Sequence, residues 1–235
     1  MLTIIILGGS SEACHVIRRA RDMGLRTVVV DGNPHAPGFM LADRIAIASC
    51  YHAKPAIREL EAIGEHYAGV LCACVDAPHV AAAVAEWFGL PGLTRAQARL
   101  SYDKIEQKKR LASAKIPIPD FRLFSGSVLI PRFGIVKPCD SRGGRGVARL
   151  LPSVDPVWAY EQAKAQSPTG CVIVEEWLDG PQLNSESIVQ DGRILFTALS
   201  WRNYARLDEF APYVIEDGLD IIQHDPELYA RVNTV

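Results

Sequence analysis

Val136-Lys137-Pro138-Cys139-Asp140-Ser141-Arg142-Gly143-Gly144-Arg145-Gly146-Val147 places three glycines, two arginines, a lysine and a serine between two apolar runs. The apolar runs are typical of β-strands and the polar centre is typical of a loop, so we predict a strand, a flexible loop and a second strand. Glycines allow backbone N–H groups to approach a ligand closely, and Lys137, Arg142 and Arg145 add positive charge. These properties suit a polyphosphate, and they predict a nucleoside triphosphate site.

This glycine loop is not a P-loop. Val147 follows Gly146 where that motif needs Lys and then Ser or Thr, and the next residues predict a strand instead of a helix. Phosphate binding would therefore depend on loop amides and side chains, without a helix dipole behind them. The loop alone leaves one alternative open, a hairpin tip whose arginines are simply solvated. Cys139 has no obvious base beside it in the sequence, which disfavours a nucleophilic role.

Strand-like and helical patterns alternate from residue 1 to about residue 92. Helical spacing of apolar residues separates four strand-like runs: 4–7, 27–30, 45–47 and 70–75. The last run is continuously apolar, as expected of a strand that is buried on both faces. We predict an open, mostly parallel α/β domain, in which Asp76 caps the helix that follows the fourth strand.

The first turn of this domain, Gly8-Gly9-Ser10-Ser11, precedes a helix, as in folds that bind a dinucleotide. In such a fold Asp31, which ends the second strand-like run, would hydrogen-bond a ribose. The G-x-G-x-x-G pattern fails because it lacks a third glycine, so a structural turn is favoured over a dinucleotide site. An NAD(P)-linked enzyme stays as an alternative that depends on this turn alone.

The pattern changes between residues 93 and 120 to polar helices, which predict a connector between two lobes. Thr94 and Ser101 are the expected N-caps. A basic cluster in this region is typical of a solvated helix face, and it comprises Lys104, Lys108, Lys109 and Arg110.

The second half of the chain predicts an antiparallel lobe. After the glycine loop, the spacing of apolar residues predicts a helix over 158–163 and a strand over 171–178. Two further strands flank Asp191-Gly192, a dipeptide that suits a type I′ hairpin turn. Together these elements predict antiparallel pairing.

Composition adds few constraints. The chain has 235 residues, is 49% hydrophobic and carries a formal net charge of −2, which gives no electrostatic argument for nucleic acid or an anionic membrane. The start has no basic n-region and its apolar run is too short to span a bilayer, so we expect a cytoplasmic protein. The six cysteines are scattered without a C-x-x-C pair, which favours reduced thiols over zinc or disulfides.

The order of these segments resembles the ATP-grasp superfamily, in the branch of carbamoyl-phosphate-synthetase-like and biotin-carboxylase-like carboxylate ligases. The similar segments are 7–10 with 30–34, 37–38 and 42–43; 89–92 with 103–104, Lys108, Leu111 and 116–119; 136–138 with 141–147; and 174–181. Lys115 departs from the pattern, because the family usually has glycine there. The resemblance implies an α/β protein with a parallel βαβ pre-ATP-grasp domain (1–92), a helical connector (93–120), a small ATP-grasp lobe (121–175) and part of the large lobe (176–235).

The resemblance also implies how a nucleotide binds. Lys104 and Lys137 would contact α- and β-phosphate oxygens, where compact ammonium groups suit phosphate. The glycine loop would cover the triphosphate with Ser141, Arg142, Gly143, Gly144, Arg145 and Gly146. The adenine edge would be bound by Glu175 and by backbone groups of Glu176, Trp177 and Leu178. Gln182 stands where many relatives have a ribose-binding Glu, a change that keeps an acceptor but removes charge.

The implied chemistry is ATP-dependent ligation, in which a carboxylate becomes an acyl phosphate that an amine or related nucleophile attacks. ATP or ADP and Mg²⁺ are the expected cofactors, and small-molecule carboxylates and amines are the expected partners, with neither nucleic acid nor membrane. A homodimer is left open. Carboxylate contacts are expected from the segment 202–206, although exposed loop arginines explain it equally well.

The family places a magnesium-binding Glu and a Glu-x-Asn pair on later strands of the large lobe. The late acids of this chain do not stand in such a pattern; they are Glu186, Glu209, Glu216 and Asp217. The sequence therefore assigns no metal ligand, and we expect the ligands beyond Val235. We also expect a chain truncated at its C-terminus that binds nucleotide but is inactive alone. The alternative is a non-catalytic nucleotide-binding or interaction module.

Overall fold

The computed structural model describes residues 1–124, 134–180, 182–203, 215–220 and 225–232. The chain divides into two compact units, Met1–Ile116 and Pro117–Val235. The first unit contains a parallel sheet and the second contains two antiparallel sheets, which confirms the predicted fold class. The finer boundaries at residues 92, 120 and 175 stay predictions.

The first unit alternates strands with helices. Its elements are β1 (Thr3–Leu7), α1 (Ala13–Asp22), β2 (Arg26–Asp31), a 3-10 turn (Pro37–Met40), β3 (Arg44–Ile47), α2 (Ala53–Ile63), β4 (Tyr67–Leu71), α3 (Pro78–Phe88), α4 (Arg95–Leu100) and α5 (Lys104–Ser113). The parallel sheet has the strand order β3-β2-β1-β4. Successive strand side chains point to opposite faces, so each face of β1 and β2 buries its own apolar set. Ile6 and Val29 pack on α1, whereas Ile5 and Val28 pack on α2 and α3.

The fourth strand is shorter and less buried than predicted. Instead of running to Val75, β4 ends at Leu71, and its residues are half-buried or exposed. The strand lies at the sheet edge, where it pairs only with β1, and Leu71 pairs with Ile6 near the end of β1. Because the ladder ends there, Cys72 and Cys74 lie in the loop that follows, not on a strand face.

Helix capping in this unit corrects two predictions. Asp76 is not the N-cap of α3, because that position is taken by Ala77, whose side chain makes no capping hydrogen bond. Thr94 does cap α4, in a capping box with Gln97. Ser101 instead ends α4, and Asp103 caps α5 by accepting hydrogen bonds from the first-turn N–H groups. Ser and Asp are both favoured at N-caps, and Ser101 and Asp103 are only two positions apart, so the sequence alone did not distinguish between them.

The basic cluster on α5 is not uniformly solvated. Lys108 is only 8% exposed, whereas Lys109 is exposed and pairs with Glu106 at 3.1 Å. A lysine stem is apolar over four carbons, so it can be covered while the ammonium group is hydrogen-bonded. The expectation of a solvated face is therefore wrong for Lys108.

The second unit contains the elements β5 (Phe121–Phe124), β6 (Gly134–Pro138), β7 (Ala148–Leu150), α6 (Pro156–Ala165), β8 (Val172–Glu175), β9 (Gln182–Gln190), β10 (Arg193–Asn203), β11 (Ile215–Asp220) and α7 (Pro226–Val232). One antiparallel sheet has the order β5-β8-β6-β7 and the other has the order β11-β10-β9. The β9–β10 hairpin is confirmed, with Asp191 and Gly192 at φ values of 50° and 74° as a type I′ turn requires. Within the described residues, no helix is both long and apolar enough to cross a bilayer.

Candidate functional site

The sheet formed by β5, β8, β6 and β7 packs one of its faces on helix α6. The helix-packed face buries Val136, Val172 and Val174 against Tyr160 and Ala163 of α6. The alternation of side chains places Lys137, Glu175 and Arg149 together on the opposite face. We call this second surface, which lies opposite α6 and on which Ile173 is fully buried, the open face. It carries two of the residues that the sequence predicted for nucleotide binding, Lys137 and Glu175.

Lys137 and Glu175 contact each other on the open face. The Lys137 Nζ atom lies 2.9 Å from Glu175 Oε2, and the two side chains are 24% and 6% exposed. The register explains the contact, because Glu175 pairs with Ile135 and Lys137 pairs with Ile173, which makes the two residues diagonal neighbours. The structure therefore brings together the predicted phosphate lysine and the predicted base-binding acid.

The glycine loop follows β6 directly and is fixed at both ends. Asp140 accepts hydrogen bonds from the Ser167 hydroxyl and the Thr169 N–H, in the turn after α6. At the other end, Gly146 packs so closely on α6 that an added Cβ would lie 3.0 Å from Ala163 Cα. Between these anchors, Gly143 has a φ value of 63°, which favours glycine. The predicted strand, loop and strand are confirmed, since β6 and β7 pair.

The chain leaves the sheet immediately after Glu175, which ends β8 earlier than the predicted residue 178. Glu176 and Asp120 hold this hinge: the Glu176 N–H donates to Asp120 O at 2.8 Å, and the Asp120 N–H donates to Glu176 Oε2 at 3.4 Å. A cavity of about 680 Å³ opens here, lined by residues 120–122, Gly134 and residues 174–177. The hinge residues expected to bind adenine therefore border a cavity of ligand size.

Trp177 is held by two further side chains. The guanidinium carbon of Arg149 lies 4.0 Å from the centroid of the indole ring, and the indole N–H donates to Asp179 Oδ1 at 2.6 Å. Arg149 and Asp179 also approach each other, with Nη2 and Oδ1 3.9 Å apart. Sequence reasoning gave Trp177 only a backbone role and did not select Arg149. The sequence signal that could have identified Arg149 is an arginine on a strand of the open face.

Comparison with known proteins gives relatives of one kind. No protein-family model matches the chain. A formate-dependent phosphoribosylglycinamide formyltransferase of Solidesulfovibrio magneticus is 29% identical over 190 residues, which cover 75% of this chain and 47% of that protein. The corresponding protein of Burkholderia lata is 27% identical over 189 residues, with coverage of 75% and 46%. The chain thus spans about half the length of the curated relatives that it matches.

Solved structures agree with these relatives. An N5-carboxyaminoimidazole synthetase from Staphylococcus aureus complexed with ADP has a TM-score of 0.72 and 18% identity, over 99% of this chain and 63% of that one. An L-amino acid ligase from Bacillus licheniformis has a TM-score of 0.71 and 16% identity, over 99% and 58%. In sequence and in fold, this chain is similar to enzymes of the ATP-grasp superfamily. The resemblance found in the sequence is therefore confirmed.

The remaining predicted site residues lie in four places. Lys104 is the first residue of α5 in the first unit, and Gln182 is the first residue of β9 in the second. Leu178 continues the hinge and is 56% exposed. The predicted carboxylate contacts begin at the end of β10, and Tyr204 to Arg206 lie outside the described residues. Their roles stay predictions.

The first turn of the chain is filled by the chain's own residues. Asp31 accepts hydrogen bonds from the Gly9 N–H at 2.7 Å and from the Asn33 N–H at 2.8 Å, one on each carboxylate oxygen. Gly38 also packs on this turn, where its N–H donates to Gly9 O and an added Cβ would lie 2.9 Å from Gly9 Cα. These contacts favour the structural turn over a dinucleotide site.

Metal ligands and thiols give no further candidate site among the described residues. Among the described residues, no group of three or more His, Cys, Asp or Glu side chains could hold a metal ion. Burial beside Asp31 raises the pKa of Cys50 from 9.0 to about 11. Burial likewise raises the pKa of Cys72 and, with the charge of Glu12, that of Cys74. Raised pKa values favour inert thiols.

Proposed function

We propose that the open face of the second unit binds ATP or ADP, as part of an ATP-dependent ligase that converts a carboxylate into an acyl phosphate. The observation that supports this proposal is the Lys137–Glu175 ion pair. Lys137 lies on the strand that leads into the glycine loop, and Glu175 lines the hinge cavity. These features lie in one compact unit. The glycine loop and Lys137 would contact the phosphates of a nucleotide, and the hinge would contact its base. The solved structure complexed with ADP supports the choice of ligand.

Phosphate binding would depend on Lys137 and the glycine loop. Lys137 extends from β6, and Glu175 holds its ammonium group at 2.9 Å on the open face. The loop begins two residues after this strand ends, so its amides and its arginines Arg142 and Arg145 can cover a phosphate chain beside Lys137. The Arg145 Nε–H donates to Arg142 O at 3.2 Å, so this guanidinium group folds back onto the backbone of the loop. Such a site is suited to several negative charges.

Base binding would depend on the hinge backbone. The Glu176 N–H already donates to Asp120 O, so that donor is used within the chain. Among the described residues, none accepts a hydrogen bond from the Leu178 N–H. A purine edge presents both a donor and an acceptor, and an exposed extended backbone can satisfy both. We therefore assign the Leu178 N–H as the base donor.

The proposed reaction begins when a carboxylate oxygen attacks the γ-phosphorus of ATP and ADP leaves. The amine then attacks the acyl carbon, the C–O bond to phosphate breaks, and inorganic phosphate leaves as the nitrogen loses a proton. Mg²⁺ supplies charge neutralisation in such transfers. The described residues offer no ligand set for it, so their contribution is to bind and position the nucleotide.

Calorimetry with ADP tests the site. Lys137→Met should weaken ADP binding at least about tenfold, because a charged contact to phosphate contributes about 1.5–3 kcal/mol. Lys164→Met is the matched control, since Lys164 lies on α6 beside Tyr160 and away from the open face. Unchanged ADP affinity in Lys137→Met would show that the nucleotide binds elsewhere.

Hydrogen exchange tests the glycine loop. Residues 141–146 contain three glycines and two arginines, so the loop has high chain entropy and repelling cations until an anion arrives. ADP should therefore slow amide exchange in this segment. Slow exchange without ADP, and no change on adding it, would contradict the proposal.

A nucleotide-binding module without turnover is the second candidate function. It is favoured by the absence of a metal-ligand cluster among the described residues. ADP release should be measured with Mg²⁺ and a panel of carboxylates and amines that includes formate, the acid named in the relatives. Background release by this chain, with intact ADP binding, supports the module. Release that depends on Lys137 supports the ligase.

A further inference from the structure

Arg149, Trp177 and Asp179 form a connected group beside the hinge, which we call the hinge clamp. The Arg149 guanidinium lies over the indole of Trp177, and the indole N–H donates to Asp179. The first contact joins β7 to the hinge across the open face, while the second links two hinge residues that are only two positions apart. The clamp therefore connects the hinge to the sheet without using backbone hydrogen bonds.

The hinge clamp acts on the backbone at Leu178. Trp177 and Asp179 are its two neighbours in the chain, so the indole–carboxylate hydrogen bond closes around Leu178. Exposed backbone after a strand end would otherwise sample several conformations, and ordering it on binding would cost free energy. With both neighbours held, the Leu178 N–H has a fixed direction before any ligand arrives.

We propose that Arg149 is a positioning residue for the nucleotide base, acting through Trp177 and Asp179 on the Leu178 N–H. The inference rests on the proposed nucleotide site and extends it to a residue outside the phosphate machinery. Trp177 also lines the hinge cavity, so the stacked guanidinium fixes one cavity wall. The clamp should thus contribute to the part of the affinity that depends on the base, and not to the part that depends on the phosphates.

Calorimetry with ADP and with inorganic tripolyphosphate separates the part of the affinity that depends on the base from the part that depends on the phosphates. Arg149→Leu should weaken ADP binding about fivefold, as expected for a partly exposed cation–π contact, and leave inorganic tripolyphosphate unchanged. Arg193→Leu is the matched control, because Arg193 is an exposed arginine on the β9–β10 hairpin. Equal losses for both ligands, or no loss for ADP, would overturn the role.

A double variant tests whether Arg149 acts through the indole. Arg149→Leu combined with Trp177→Leu should bind ADP as Trp177→Leu does alone, because the first change has nothing left to disrupt. If the two losses multiply, Arg149 acts independently of Trp177 and the clamp is wrong.

A ligand-free measurement keeps the clamp distinct from the proposed function. The ¹⁵N heteronuclear NOE of the Trp177 indole N–H, assigned with a Trp177→Phe variant, should be high in the unaltered protein and fall in Arg149→Leu. An unchanged NOE overturns the clamp whatever the ligand does. Absence of ADP binding by the unaltered protein, with the NOE falling as expected, would instead refute the nucleotide site alone.

Discussion

Replacing Lys137 with methionine should destabilise the second unit by about 3 kcal/mol. The ammonium and carboxylate lie 2.9 Å apart, and Coulomb's law gives an attraction of about 6 kcal/mol at an effective dielectric constant of about 20. Desolvation of the two groups offsets much of this, but the variant removes the ammonium group that lies 2.9 Å from the 6%-exposed Glu175 carboxylate. Removing one partner of a buried pair costs about 3–5 kcal/mol, and the 24% exposure of Lys137 places this case at the lower end.

Urea denaturation followed by tryptophan fluorescence measures this loss, because three of the four tryptophans lie in the second unit. Lys137→Met combined with Glu175→Gln should recover about 1–2 kcal/mol, since the double change removes the buried charge as well. Lys164→Met should stay within about 0.5 kcal/mol of the unaltered protein. If Lys137→Met also stays within that range, the pair does not stabilise the open face and our account of it is wrong.

Backbone strain and a buried thiol give the remaining tests. Gly134→Ala should destabilise by about 3 kcal/mol, because the φ of 126° is strained for alanine and the added Cβ would lie 2.4 Å from Glu175 O; a urea midpoint close to that of the unaltered protein would contradict this. Lys115→Gly should stabilise by about 0.5–1 kcal/mol, because it relieves a left-handed φ of 59°, and thermal unfolding measures the gain. Cys50 has a folded pKa raised from 9.0 to about 11, so its stabilisation is complete below pH 9 and is lost as the pH rises through 11. The loss should be about 2 kcal/mol after allowance for solvent screening, and Cys50→Ala should show a smaller decrease between pH 8 and pH 11.

Local sequence was sufficient where one short segment determines its own structure. The Asp191-Gly192 turn is an example, since its two positive φ values suit those residues and fix the register of the hairpin. The glycine loop is another, because apolar strands bounded it on both sides. Lys137 and Glu175 were selected by their order in the chain, and the sheet register then brought them together.

Local sequence failed where the outcome depends on a distant partner. β4 ends where its neighbour β1 ends, which the apolar run up to Val75 does not encode. The contact between Arg149 and Trp177 joins residues 28 positions apart and could be found only after β7 and β8 were placed in one sheet. The burial of Lys108 likewise depends on what surrounds α5 and not on the charge pattern of the helix.

The two ends of the glycine loop are anchored, whereas the residues between them can be exchanged. Asp140 and Gly146 are both fastened to α6 or to the turn that follows it, so the residues between them contribute little to the sheet or its core. Segment 141–145 can therefore be replaced by loops from ATP-grasp proteins while the two anchored ends keep their geometry. A series of such exchanges would vary the affinity for phosphate at nearly constant folding stability, which makes this loop a convenient place to redesign nucleotide preference.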